Sequence, residues 1–307
     1  MREVYGYLKT YYTLLDKGAF LLTAGLMALL VLINYTIGID HRITGIENRG
    51  VRFLYYFLLF LFVFSSSYLL SYKYRKDAVP QETWFYVLMV FSTALFAVKM
   101  SIQSLPPSFD SFFQFPSLRY WKLVMNWPVK GLLVIAGIYA CWKLMRLPAP
   151  MAGMSGNNIN YQPYWILLLL MFPILMAASF TDSFQIVYPK LQNIQFIEWI
   201  TSPVWHYYFL YELAYGFDFF TIELFFRGFL VLGFLKFAGS KSILPMAAFY
   251  CTIHFGKPMA ECISSFFGGL ILGAIVFNTR SIWGGLIVHL GIAWLMELIG
   301  IIMKEFK

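Results

Sequence analysis

The chain has 307 residues, of which 60% are hydrophobic and only 12% charged, with a formal net charge of +8. A soluble protein carries roughly twice that charged fraction, so a water-soluble globular chain is excluded. The positive charge is scattered over short loops and forms no continuous basic face. This excludes nucleic acid as a partner and fits loops that meet anionic lipid.

The opening MREVYGYLKTYYTLLDK is mixed in charge, and GAFLLTAGLMALLVLINYTI follows it. That apolar run is too long for a signal-peptide core and no small-residue cleavage site follows, so it reads as a retained helix. Runs of about 18 or more residues with few charges recur along the chain, each long enough for a bilayer of about 30 Å. They predict membrane helices near 19–37, 53–72, 83–103, 129–146, 163–181, 205–235, 242–255, 259–278 and 282–303. Aromatic residues crowd their ends, as at Tyr55, Tyr56, Tyr120, Trp121, Tyr161 and Trp165, in the manner of interfacial belts. The predicted fold class is all-α, a polytopic transmembrane helical bundle of eight or nine membrane helices.

Loop charges put Lys73, Arg75 and Lys76 on the same side as Lys143, Arg146 and the N-terminus. Arg42, Arg49 and Arg52 on the opposite loop weaken that bias. Cys141, Cys251 and Cys262 lie in apolar segments without ligand-like spacing and read as small buried hydrophobes.

A stretch rich in Pro, Gly and Asn, residues 147–162, divides the chain. Residues 1–146 form N-terminal membrane helices of unassigned role, and 163–307 form the part expected to carry chemistry. The predicted helices before the linker hold almost no ionisable groups. Those after it hold Glu212, Asp218, Glu223, Arg227, His254, Glu261, His289 and Glu297. Charges in membrane helices are costly and face the protein interior or a water-filled cavity. The helices from 163 onward are therefore expected to enclose a polar cavity, with the first four outside it.

Glu223 and Arg227, in IELFFRG, are four apart and share a helix face. They read either as a self-neutralising packing pair or as part of a site. His254 ends the run ILPMAAFYCTIH. Pro258 suits the first turn of a new helix, so the chain should break near Gly256 and Lys257 and leave His254 at a helix end. His289 lies in SIWGGLIVHLGIAWLMELIG, whose small residues permit close helix packing. Glu and His supply a general base and oxyanion donors, and the same three residues could equally be zinc ligands. No HExxH spacing separates the two options.

At these residues the second half resembles the CAAX-protease and bacteriocin-processing (abortive-infection) family of intramembrane endopeptidases. Its EExxxRG motif is read as Ile222-Glu223-xxx-Arg227-Gly228, its FxxxH as Tyr250-xxx-His254, and its HxxxN or HxxxD as His289-xxx-Ala293. The resemblance covers about residues 160–303. It implies proteolysis in a membrane cavity, with His254 and His289 binding the scissile carbonyl oxygen or assisting proton transfer and Arg227 orienting the carboxylate. The family's water-activating base is the first Glu of the pair, Ile222 here, so Glu223 is expected to take over that role. It further implies a peptide or membrane-protein substrate, a lipid bilayer as surroundings, a bacterial cell (inner) membrane as location, and no cofactor. Ile222 and Ala293 depart from the motifs, where the family carries Glu and Asn or Asp. Glu297, two turns after His289, and Glu212, near the face of Glu223, are the expected supporting carboxylates. A non-catalytic relative that binds a peptide or membrane protein is the alternative function. A transporter is a third, and the two halves show none of the internal repeats it would lead one to expect. The oligomeric state is not legible.

Overall fold

The computed structural model describes residues 2–75, 79–156 and 159–305. Lys76 of the basic loop and Asn157 and Asn158 of the linker lie outside the described residues. The regular secondary structure of the described residues is entirely helical, with no strand. Thirteen α-helices follow in chain order: α1 (Arg2–Leu14), α2 (Lys17–Ile37), α3 (Ile39–Thr44), α4 (Arg49–Arg75), α5 (Thr83–Ser101), α6 (Leu118–Leu144), α7 (Gln162–Ser179), α8 (Asp182–Val187), α9 (Trp205–Glu223), α10 (Leu235–Ala238), α11 (Ile243–Thr252), α12 (Met259–Thr279) and α13 (Trp283–Glu305). A 3-10 segment, Lys190–Trp199, precedes α9, and a π-helical segment, Leu224–Gly233, continues it.

Local chemistry sets the ends of these helices. The Asp16 carboxylate accepts the Ala19 N–H at 2.8 Å and caps α2. Gly38, at φ 77°, closes the helix by donating to the Asn34 carbonyl. Pro258 precedes α12, and Arg280 ends it in a left-handed conformation.

Seven helices among the described residues are long and apolar enough to cross a membrane: α2, α4, α5, α6, α7, α12 and α13. The chain is a polytopic all-α membrane bundle. Two expected spans differ from this set. The run at 205–235 is α9 continued by the π segment. The run at 242–255 holds only α11, whose ten residues reach about 15 Å and are all buried. The break before Pro258 stops α11 after ten residues, too few to cross a bilayer, so it is a buried half-helix rather than a span.

The N-terminal helices share a core with the later ones. Phe60 of α4 packs on Phe249 of α11 with centroids 4.7 Å apart, and Phe96 of α5 packs on Phe225 at 4.7 Å and Phe226 at 5.0 Å. Lipid is as apolar as phenylalanine, so close packing rather than water exclusion holds these rings together. Such aromatic pairs are worth about 0.5–1.5 kcal/mol beyond their burial. The expectation that the first half carries almost no ionisable groups is corrected at Lys99. This buried α5 residue lies 2.8 Å from Asp218 of α9.

Polar bonds fix the loops at the two ends of the bundle. The Asn34 carboxamide donates to the Phe255 carbonyl at 2.9 Å and holds the turn after α11 against the end of α2. Arg52 donates to the Ser101 carbonyl at 2.8 Å. At the other end the described part of the linker is docked: Ile282 N–H donates to Gly153 O at 3.0 Å, Ser281 to Ser155 O at 2.6 Å and Trp283 to Met154 O at 3.1 Å.

Candidate active site

Glu223 is the last residue of α9 and Arg227 sits in the following π segment; their exposures are 0% and 1%. The guanidinium lies 3.2 Å from Glu223 Oε1. An ion pair this deep survives only when other groups satisfy it, and two neighbours help. Arg227 lies over the Tyr250 ring, 4.0 Å from its centroid. The π segment is also pressed against the linker. A Cβ on Gly228 would stand 2.5 Å from the Ala152 carbonyl oxygen, so the glycine after Arg227 answers a close backbone approach.

His289 reaches Glu223 because α13 is narrow there. A Cβ on Gly285 would lie 2.9 Å from Glu223 Oε2, and one on Gly284 would overlap the Tyr164 ring. His289 Nδ1–H donates to Glu223 Oε1 at 2.8 Å, while Phe219 packs edge-on against the imidazole at 4.7 Å. At the other ring nitrogen, the Tyr250 hydroxyl is 2.9 Å from His289 Nε2. His254 follows α11, and its Nδ1–H donates to the Tyr250 carbonyl at 3.0 Å. Glu223, Arg227, His254 and His289 therefore come together in one network joined through Tyr250. The motif reading treated Tyr250 as a position and assigned its hydroxyl no role. The signal available was a hydroxyl where the motif has phenylalanine.

Within this network Glu223 Oε2 is buried with no hydrogen-bond partner among the described residues, as is Arg227 Nε. The carboxylate has no exposed surface, whereas His289 is 14% exposed and His254 is partly exposed, so approach is past the imidazoles.

A model of the Rce1-like family, type II CAAX prenyl endopeptidases, matches residues 203–295. Over this segment the chain is similar to the CAAX-protease family. Comparison with curated proteins and with solved structures gives no match. The matched segment contains α9, the π segment, α11, α12 and most of α13, and so holds Glu223, Arg227, Tyr250, His254 and His289.

The two carboxylates expected to support this site are engaged elsewhere. Both oxygens of Glu297 accept backbone N–H groups, from Lys190 at 2.8 Å and Leu191 at 3.1 Å. Its angular proximity to His289 is spent on anchoring the segment before α9. Glu212, beside Trp294 and Glu297, has a buried carboxylate and makes no ion pair with Arg227. Asp218 pairs with Lys99, and Glu261 with Lys257 at 3.4 Å and the Tyr188 hydroxyl at 3.2 Å. Burial first, and then the neighbouring Lys257, push the Lys190 amine down to about 8.

Among the described residues no three His, Cys, Asp or Glu side chains are grouped to hold a metal ion. Glu223 and His289 bond directly to each other, and His254 turns its Nδ1 to a carbonyl. An apolar groove of about 610 Å³ runs between α7 and α13, lined by Trp165, Leu168, Leu286, Leu290 and Trp294 among others.

Proposed function

We propose that the chain is an intramembrane endopeptidase of CAAX type, in which Glu223 takes a proton from the water that attacks a peptide bond. The observation that carries this reading is the unpartnered Glu223 Oε2. A buried carboxylate oxygen without a donor costs about 1–3 kcal/mol or more, and such a cost is expected where a reactant water is to be held. Oxygen Oε1 is held by Arg227 and His289, which leaves Oε2 as the acceptor. The guanidinium holds the carboxylate from the Oε1 side and so fixes the direction in which Oε2 points.

In this reading His289 orients the carboxylate, since both its ring nitrogens are engaged within the protein. His254 has its Nδ1–H committed to the Tyr250 carbonyl, and its Nε2 lone pair is free to help move the proton towards the leaving amine. The substrate is a peptide or membrane protein, and the groove between α7 and α13 receives its apolar part. The reaction needs no metal, and the membrane is a bacterial inner membrane.

The test is Glu223→Gln, which keeps shape while removing basicity. Cleavage of an internally quenched prenylated CAAX-type peptide by reconstituted protein should fall by about 10² or more, with folding intact. The apolar Ile222 and Ala293 at two motif positions favour one other reading, a non-catalytic relative that binds a peptide in the same chamber. Unchanged cleavage products in membrane proteomics of Glu223→Gln, alongside a phenotype when the whole protein is lost, would establish that second reading.

A further inference from the structure

We infer that Tyr250 is the positioning residue of this site, its hydroxyl supplying the polar contact to His289 that Ala293 does not. The inference rests on the peptidase reading and adds a residue to which the motif gives no role. Three observations support it.

The first is the hydroxyl, 2.9 Å from His289 Nε2. Glu223 is a carboxylate and only accepts, so the His289 proton belongs on Nδ1, facing Oε1 at 2.8 Å. Nε2 then carries a lone pair, and the Tyr250 O–H donates to it. The phenol thus selects the one neutral tautomer in which the imidazole donates to the base, as an orienting group does in a triad. A phenylalanine here would leave Nε2 without a donor.

The second is the ring. Tyr250 is 3% exposed, its face lies 4.0 Å from the Arg227 guanidinium and it packs on Phe226 at 5.0 Å. The hydroxyl is therefore aimed by a fixed plane, and the same ring supports the cation that binds Glu223.

The third is the backbone. The Tyr250 carbonyl accepts from His254 Nδ1 at 3.0 Å, which leaves His254 Nε2 as that ring's free atom. One residue thereby sets the orientation of both histidines and of the cation. Ala293, one turn beyond His289, is 3% exposed and contributes no polar atom, so the contact on His289 comes from α11 instead of from its own helix.

The experiment is Tyr250→Phe in the full-length protein, which removes one oxygen and leaves the ring. With the same quenched prenylated peptide, kcat should fall by about tenfold or more, roughly the worth of one hydrogen bond. KM should stay within about twofold, because no substrate contact is lost. Independently of turnover, ring nitrogen NMR of histidine-labelled protein, with the His289 signals assigned by His289→Gln, should show His289 as the Nδ1–H tautomer with a hydrogen-bonded Nε2. Tyr250→Phe should abolish the Nε2 hydrogen-bond shift.

An unchanged kcat, a loss confined to KM, or His289 signals that ignore the substitution would overturn the inference. If Glu223→Gln is inactive while Tyr250→Phe matches the wild type, only the role of Tyr250 falls. If Glu223→Gln cleaves normally, the assignment of Glu223 as the base falls, and the nitrogen signals still decide whether Tyr250 holds His289.

Discussion

Lys99 Nζ lies 2.8 Å from Asp218 Oδ1 and ties α5 to α9 just upstream of Glu223. Both side chains are largely buried, at 6% and 17% exposure. Removing one partner strands a charge, which costs about 3–5 kcal/mol, whereas removing both is often close to neutral. Lys99→Met should therefore lower the unfolding temperature in detergent markedly, and Lys99→Met with Asp218→Asn should restore much of it. A single variant that melts with the wild type would show that the pair carries no such coupling.

Gly285→Ala should separate chemistry from folding. The added Cβ meets Glu223 Oε2 at 2.9 Å, and the obstacle is the tip of a side chain rather than backbone. The carboxylate can swing aside, so the fold should survive while the oxygen assigned to the water loses its place. We expect cleavage to drop by about tenfold or more with little change in unfolding temperature, since displacement of a reacting group by ~1 Å is costly. Full activity in Gly285→Ala would argue that Oε2 is not the acceptor.

Gly228→Ala should behave in the opposite way. Its Cβ would stand 2.5 Å from Ala152 O and 2.8 Å from Ala152 Cβ, so the linker backbone must shift. Ala152 is already left-handed, at φ 48°, and has little room to give. Overpacking of this kind costs about 1–3 kcal/mol. Thermal unfolding of the purified variant measures it, and a melting temperature equal to the wild type would contradict the close approach.

Metal content gives a further check. Purified protein should carry no stoichiometric zinc, and cleavage should survive a chelator, because the proposed nucleophile is activated by a carboxylate. Stoichiometric zinc, lost together with activity in His254→Ala and His289→Ala, would overturn this expectation and recast Glu223, His254 and His289 as ligands.

Motif spacing picked out Glu223, Arg227, His254 and His289, which the structure brings near one another. Hydropathy found seven of the nine expected spans, and Pro258 marked the break that ends α11. Residues whose roles depend on distant partners were less legible. Glu297 sits two turns after His289, and helix geometry alone suggests that it serves the imidazole. The chain between α8 and α9 returns to it instead, and its oxygens go to the N–H groups of Lys190 and Leu191. Lys99 was hidden in an apolar run, and its one sequence signal was a lone lysine inside a membrane helix, whose default reading is a buried partner. Tyr250 was visible as a letter in a motif, but its hydroxyl acquires meaning only once α11 and α13 stand side by side.

The π segment has a consequence for how the site is phased. A π coil takes more residues per turn than an α-helix, so over Leu224–Gly233 the chain winds about half a turn less than α geometry would give. A wheel drawn at constant pitch through Glu223 therefore assigns the wrong azimuth to everything after it. All ten residues of the segment are buried, so hydrophobicity offers no cue to the offset. The same offset makes the segment sensitive to length in a way its composition does not suggest. Deleting one phenylalanine would leave the stretch as apolar as before, yet it would let the coil tighten and turn the Arg227 side of the helix away from Tyr250.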